Sequence, residues 1–243
     1  MENKIFISCG IKDGTYSSYE LFWPVLECIP LEFLFSMSSA SKFSIIFTSK
    51  SAVNLFFEKY SFLFPLPKKR FFFSPNKTKQ LEKICAVGDG TKKLIQEKYL
   101  PRDYEVLVPK QEGLAGCLTE FSFSNDSTVM IYTALNGKSE EIVRELSTMD
   151  LPYSIRLCPI YKLHPFYSDF LESFFKRNNA FNKANIVFHA SSGLVLREVF
   201  HQLCLYFNRE SAYDLPSNIL FSIEKASTEN AARELNLLDR LVT

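Results

Sequence analysis

The chain has 243 residues, of which 47% are hydrophobic and 23% are charged, and its formal net charge is +1. This composition excludes a disordered chain, and the length allows one large or two small domains with a buried core. Because the net charge is near zero, the chain as a whole does not attract nucleic acid or an anionic membrane. An anionic ligand therefore has to be held by a local site.

Cysteine usage and the apolar runs indicate the compartment. The six cysteines are widely spaced and form no CxxC pair, so we expect small buried hydrophobic side chains in a reducing cytosol. The first apolar run, residues 4–9, is too short for a signal peptide, and the longest runs fall short of the ~20 residues of a membrane span. We expect a cytoplasmic monomer with no membrane and no nucleic-acid partner.

Strand-like runs alternate with segments of helical spacing along the whole chain. Helical spacing is clearest at residues 51–60 and 138–147, where Ile142, Val143, Leu146 and Met149 share one face. The alternation predicts an α/β protein with parallel sheets. The predicted strands are Lys4–Cys9, Phe43–Phe47, Lys83–Val87, Glu105–Val108, Val129–Tyr132, Tyr153–Leu163, Asn185–His189 and Asn218–Ile223.

A weak internal repeat divides the chain further. Residues 45–57 and residues 186–200 both read as a strand, a hydroxyl-rich turn and a helix. A second unit of the same kind follows each of them, at residues 84–95 and at residues 219–232. The repeat predicts two similar α/β lobes with their turns on corresponding edges.

The turns of this repeat are candidate anion sites. In parallel sheets they lie at the carboxyl ends of the strands, where ligands bind, and Ser or Thr there caps the next helix beside free backbone N–H groups. Four such turns could hold a ligand with several carboxylates. The same Ser and Thr side chains are also needed as caps when nothing binds, so both interpretations stay open.

Other motifs are incomplete. Gly137-Lys138-Ser139 resembles the end of a phosphate-binding loop, but Tyr132 stands at the earlier glycine position, and Gly88-Asp89-Gly90 lacks the third glycine of a dinucleotide fingerprint. The basic and aromatic residues 67–73 favour a solvated connection followed by a strand over a nucleic-acid surface. The three histidines have no metal-type spacing, so we expect no metal.

Tyr161 is the candidate for chemistry. It lies in the alternating run 158–165, between the two halves of the repeat, and this run ends at a proline. A tyrosine there could project into a cleft and donate a proton or a hydrogen bond. The alternative is an aromatic side chain on a half-buried strand.

Short motifs follow one another along the chain in a recognisable order: Thr48-Ser49, Val87-Gly88 with Thr91, Gly113-Leu114, Asn136 to Lys138, Ile160-Tyr161, Ser192-Gly193 and Thr228. Their order and spacing resemble those of the uroporphyrinogen-III synthases. The resemblance covers about 200 residues.

The family resemblance implies two flavodoxin-like parallel-sheet lobes joined by a two-stranded linker. Residues 1–36 with 163–243 would form one lobe, and residues 37–162, including the linker strands, the other. The family closes the linear hydroxymethylbilane, which carries eight carboxylates, to uroporphyrinogen III and inverts the last pyrrole ring, without a cofactor. Tyr161 matches the tyrosine suggested to help the hydroxyl group leave. Substrate binding is implied for Thr48, Ser49, Lys50, Gly88, Thr91, Asn136, Lys138, Ser191, Ser192, Gly193 and Thr228.

The sequence also departs from the family pattern. The first hydroxyl turn reads Ser49-Lys50-Ser51 in place of Ser-Pro-x, and the last turn offers Glu224-Lys225 in place of a glycine. Relatives usually carry a further strand and helix after the position of Thr243. The synthase stays the first interpretation, and these departures leave room for an alternative, a catalytically weakened two-lobed protein that binds a tetrapyrrole or another anion. A phosphate- or nucleotide-using enzyme is a third possibility.

Overall fold

A computed structural model describes residues 4–12, 21–31, 42–60, 80–100, 105–135, 139–146, 151–177, 184–223 and 226–242. The chain forms two compact units, one from residues 1–28 and 163–243 and the other from residues 29–162. It passes between them twice, and both passages lie within β-strands.

The described residues form nine strands and seven α-helices. The strands are β1 (Lys4–Lys12), β2 (Phe22–Pro30), β3 (Lys42–Phe47), β4 (Gln80–Ala86), β5 (Val106–Leu107), β6 (Thr128–Ala134), β7 (Ser154–Pro165), β8 (Asn185–Ala190) and β9 (Ile219–Ile223). The helices are α1 (Lys50–Tyr60), α2 (Asp89–Leu94), α3 (Leu114–Glu120), α4 (Ser139–Leu146), α5 (Phe170–Arg177), α6 (Gly193–Phe207) and α7 (Ala226–Glu234). The α2 helix continues into a π-helical turn, Ile95–Tyr99.

The sheet of the unit formed by residues 29–162 is parallel. Its strand order is β5-β4-β3-β6-β7. Counted along the chain from β3, this order is 3-2-1-4-5, whereas a flavodoxin-like sheet follows 2-1-3-4-5. The predicted parallel α/β class is confirmed, but the flavodoxin strand order is not the one observed here. The difference arises because the short β5 pairs outside β4.

Two apolar layers cover this sheet. On one face, Phe47, Phe56 and Tyr132 form an aromatic cluster in which the rings of Phe56 and Tyr132 lie 4.6 Å apart. The other face packs against α3, with Cys117 and Leu118 in its core, and against Ile142 and Val143 of α4 as the helical spacing predicted. The side chains of Leu146 and Met149 lie outside the described residues.

The unit that contains both ends of the chain repeats this arrangement. Its strands follow the order β9-β8-β1-β2, and each neighbouring pair is parallel. The core packs against α5, α6 and α7 around Trp23, which stacks on Phe170 and meets Phe188 edge-on. In this unit β8 has the place that β3 has in the other, so the hydroxyl-rich turns of the repeat follow equivalent strands.

Strand β2 was not predicted from the sequence. Pro24 and Pro30 mask it, because proline has no N–H group to donate within a sheet. The structure accommodates Pro24 opposite Gly10, where the register between β1 and β2 shifts and the ladder is interrupted. The predicted end of β1 at Cys9 is wrong, because the strand continues through Gly10 to Lys12.

None of the six cysteines forms a disulfide, and five of them are buried, as their wide spacing within apolar runs predicted; Cys28 is half-buried. Burial raises the pKa of Cys85, Cys117 and Cys158 to about 12. These thiols therefore behave as small apolar side chains at neutral pH.

The basic segment 67–73 lies outside the described residues. Among the helices of the described ranges, none is long and apolar enough to cross a membrane.

Candidate functional site

The turn after β3 presents the first pair of predicted hydroxyls. The Thr48 hydroxyl donates to the Tyr132 carbonyl at 3.1 Å, which ties the turn to β6. The Ser49 Oγ accepts the Ala52 N–H at 3.0 Å and so caps the start of α1. Both side chains are half-buried, whereas Lys50 is exposed. Ser49 is therefore a helix cap, as the capping interpretation predicted, whereas the partner of Thr48 lies on β6.

Tyr161 lies on β7, in the same unit. The register between β6 and β7 skips one residue there, so that Thr133 pairs with Pro159 and Ala134 pairs with Tyr161. Such a bulge redirects the following side chain. The Tyr161 carbonyl accepts the Leu135 N–H at 2.7 Å, and the Tyr161 hydroxyl oxygen lies 2.9 Å from the Ser49 Oγ. The bulge and the backbone bond together hold the phenol against the Ser49 turn.

The turn between β4 and α2 contains Gly88 and Thr91. The Gly88 carbonyl accepts the N–H groups of Thr91 and Lys92, each at 3.1 Å, and Thr91 is buried. Lys50 reaches this turn from α1, because a Cβ on Gly90 would lie 3.3 Å from the Lys50 Cε. The turns after β3 and β4 therefore lie side by side.

A carboxylate that the sequence analysis did not single out also lies at this turn. A Cβ on Gly88 would lie 3.1 Å from the Glu112 Oε1, so the Glu112 carboxylate rests against the glycine. The neighbouring Gly113, with a φ of 118°, marks an unusual loop in this region. Sequence alone does not bring residue 112 to residue 88, because the contact depends on how the loop before α3 folds.

In the other unit, the turn after β8 holds Ser191, Ser192 and Gly193. The Ser192 Oγ accepts the Val195 N–H at 3.3 Å and caps α6, while Ser191 is exposed. On the neighbouring strand ends, the His189 Nδ1 lies 3.3 Å from the Ser222 Oγ.

Thr228 is fully buried as the third residue of α7. Its hydroxyl has no hydrogen-bond partner among the described residues.

The predicted site residues thus fall into two groups. Thr48, Ser49, Lys50, Gly88, Thr91 and Tyr161 come together in the unit formed by residues 29–162, and Ser191, Ser192, Gly193 and Thr228 belong to the other unit. Asn136 and Lys138 lie outside the described residues. Within the part of the chain that the structure describes, no three His, Cys, Asp or Glu side chains are grouped as metal ligands.

Residues 20–202 match the family model described as uroporphyrinogen-III synthase HemD. This match spans most of the chain. The chain belongs to the uroporphyrinogen-III synthase family. The resemblance inferred from the order of the motifs is therefore confirmed, and it places the chain in an enzyme family of haem biosynthesis that acts on a tetrapyrrole substrate.

The fold of the chain is similar to that of a solved member of this family. The crystal structure of uroporphyrinogen-III synthetase from Helicobacter pylori 26695 superimposes with a TM-score of 0.53 at 13% sequence identity. The match covers 98% of this chain and 93% of that chain. At this identity the likeness shows a shared fold. No curated protein matches the sequence.

Proposed function

We propose that this member of the uroporphyrinogen-III synthase family closes hydroxymethylbilane to uroporphyrinogen III, with inversion of the last pyrrole ring. The observation that carries the proposal is the 2.9 Å contact between the Tyr161 hydroxyl and the Ser49 Oγ. It brings the candidate acid to the hydroxyl-rich turn where the substrate is expected to bind. Membership of the family supports this choice of reaction, and an enzyme that catalyses it is a lyase.

The proposed role of Tyr161 is to help the substrate hydroxyl leave. The C–O bond of the hydroxymethyl group breaks, its electron pair goes to the departing oxygen, and a proton or hydrogen bond from the phenol lets that oxygen leave as water. Either hydroxyl can donate in the Ser49–Tyr161 contact. In the proposed reaction Ser49 donates to the Tyr161 oxygen while its Oγ accepts the Ala52 N–H, which leaves the phenol proton for the departing oxygen. That donation stabilises negative charge on the phenol as the proton moves.

After water has left, the cationic end of the chain is attacked by a carbon of the terminal pyrrole ring. We propose that the reaction then passes through a spiro intermediate, which reopens and closes with the ring inverted. The reactive pyrroles provide the electron pairs for every bond formed, so no cofactor is needed. The contribution of the protein is to fold the linear chain so that its two ends meet.

The substrate carboxylates are proposed to bind at the turns of both units. Thr48, Ser49, Lys50, Gly88 and Thr91 would bind them in one unit, together with Asn136 and Lys138. In the other unit, Ser191, Ser192 and Gly193 would do so. Thr228, whose side chain is fully buried, would contribute only through its backbone N–H in the first turn of α7.

We further propose that the two units act as two lobes with β2 and β7 as their linker, and that the protein works as a cytoplasmic monomer. Size-exclusion chromatography with light scattering would test the monomer directly.

The ratio of product isomers tests the proposed reaction. Hydroxymethylbilane closes to the type I isomer without an enzyme, so purified protein should divert the product to type III faster than type I forms. Chromatography of the oxidised products measures both isomers in one sample. If the product is type I only, formed at the uncatalysed rate, the proposed activity is wrong for this chain.

A second candidate is a protein that binds a tetrapyrrole without turning it over. It is favoured by a departure from the family pattern, since Ser49-Lys50-Ser51 replaces Ser-Pro-x in the turn that contacts Tyr161. A ligand that binds the folded state raises the melting temperature even without chemistry. Thermal stabilisation by an octacarboxylate porphyrin, with no type III product, would support this candidate over the synthase.

A further inference from the structure

The loop before α3 is held at two points. The Glu120 carboxylate accepts the N–H groups of Lys110 and Gln111 at 2.8 and 2.9 Å. Further along the loop, the Gly113 N–H donates to the Val87 carbonyl at 2.8 Å. One end of the loop is thus fixed to α3 and the other to the end of β4.

Glu112 lies between these two points. Its side chain is exposed, yet its carboxylate carbon and oxygens all lie within 3.1–3.4 Å of the position that a Cβ on Gly88 would take. Glycine is what leaves room for the carboxylate, because any side chain at residue 88 would contact it. The backbone bonds of the loop set the position of Glu112, while its own side chain remains free to rotate into solvent.

Charges of both signs surround this turn. Lys50 reaches Gly90, α2 begins with Asp89 and ends with Lys92 and Lys93, and the Glu112 carboxylate is the charged group that lies against Gly88 itself. A substrate carboxylate approaching Gly88 would meet the Glu112 carboxylate in the same place. Like charges at contact distance repel, and the repulsion weakens as salt is added.

We propose that Glu112 weakens ligand binding at the β4–α2 turn, because its carboxylate occupies the turn in the free protein and has to rotate away before a substrate carboxylate can bind there. This inference rests on the proposed binding of a polycarboxylate tetrapyrrole. Glu112 would therefore lower the affinity of the turn for any carboxylate ligand.

The test compares Glu112→Gln with wild type in direct binding. The probe is the fully oxidised form of the proposed product, a porphyrin that keeps eight carboxylates, and its fluorescence reports the Kd without turnover. The amide has nearly the shape of the carboxylate but no charge. We expect Glu112→Gln to lower the Kd about two- to fivefold at low ionic strength, with the difference shrinking toward unity in high salt.

Glu105→Gln is the matched control, since it removes the same charge from an exposed position just before β5. Its Kd should stay at the wild-type value. If Glu105→Gln and Glu112→Gln lower the Kd equally, the effect is one of net charge and the inference is overturned. An unchanged Kd in Glu112→Gln would also overturn it. The same holds if neither wild type nor Glu112→Gln binds the porphyrin.

Turnover separates the two proposals. If wild type binds the porphyrin but forms no type III isomer, the proposed activity fails and the ratio of the Kd values still decides the role of Glu112. If the isomer assay succeeds while Glu112→Gln leaves both the Kd and the KM unchanged, the activity stands and the role of Glu112 is wrong.

Discussion

The hydroxyl oxygen of Tyr161 lies 2.9 Å from the Oγ of Ser49, a residue 112 positions earlier in the chain. Ser49 follows β3 and Tyr161 lies on β7, and β6 pairs with both strands, so a single strand separates the two residues in the sheet. The tyrosine is buried, so its hydroxyl is protected from bulk water while it contacts a turn that is partly open. This contact is the basis of the first prediction.

Replacing Tyr161 by Phe should lower turnover at least about tenfold, because the donor to the departing hydroxyl is removed. The fold should stay intact, because the packed ring is kept and only the hydroxyl with its contact to Ser49 is lost. The rate of type III formation measures the effect, and circular dichroism checks the fold. Tyr153→Phe is the matched control: its hydroxyl donates to the Leu118 carbonyl at 3.3 Å, at the opposite end of β7. An unchanged rate in Tyr161→Phe would remove the proposed role.

Replacing Gly116 by Ala should lower the free energy of unfolding by about 3 kcal/mol. A Cβ there would lie 1.9 Å from the Gln111 carbonyl oxygen, which belongs to backbone and cannot rotate away. Helix propensity alone predicts the opposite sign, since Ala favours a helix interior by about 1 kcal/mol over Gly. Urea denaturation measures the change.

The control for this prediction is Gly90→Ala. A Cβ at Gly90 would lie 3.3 Å from the Cε of Lys50, the flexible part of an exposed side chain. We expect a change within about 0.5 kcal/mol of wild type. If both alanine variants are equally stable, the close approach of the loop to α3 is wrong.

Replacing Gln202 by Leu should cost about 1–3 kcal/mol of unfolding free energy. The buried Gln202 amide shares its two N–H hydrogens among three acceptors, the Val25 and Phe166 carbonyls at 3.3 and 3.2 Å and the Glu198 carboxylate at 2.9 Å. Leucine leaves these acceptors without that donor. His201→Ala, at an exposed position on the same helix, should change stability by less than about 0.5 kcal/mol.

Glu120 gives a pH-dependent prediction. Hydrogen bonds from the Gln111 and Lys110 N–H groups hold the pKa of Glu120 below its ordinary value of 4.5. Because the folded-state pKa is the lower one, the stabilisation is fully present above pH 4.5 and is lost as the pH falls through the folded-state pKa. The stability of wild type over Glu120→Gln should therefore be constant near neutral pH and shrink in acid.

Urea denaturation of both proteins at intervals between pH 7 and pH 3 measures this difference. Every other carboxylate titrates in both proteins, so its contribution cancels when the unfolding free energy of Glu120→Gln is subtracted from that of wild type. A difference that stays constant down to pH 3 would show that the Glu120 carboxylate does not hold the loop.

The elements that were predicted correctly are those whose side chains form a continuous apolar run or repeat with the period of a helix. Strand β8 reads as an apolar run, and α4 places Ile142 and Val143 on one face, so local spacing is enough to find both. Strand β2 and the end of β1 were missed because Pro24 and Gly10 disfavour a regular strand. Their pairing at a register shift is decided by the neighbouring strand.

The candidate site divides in the same way. Ser49 and Ser192 could be identified as helix caps because a cap is a local arrangement of a side chain and the next turn of backbone. The contact of Glu112 with Gly88 could not be predicted, since it depends on the loop that Glu120 and Gly113 hold. A residue that lies in such a loop carries no periodic signal.

By itself, the sequence determined the α/β class, the positions of the capped turns and, through the order of weak motifs, the family. These properties depend on neighbours within a few residues or on order along the chain, and both are written in the sequence. Only the tertiary structure decided that Tyr161 meets Ser49 and that Glu112 covers Gly88. Strand register and loop folding set these contacts, and both result from packing between residues that are distant in sequence.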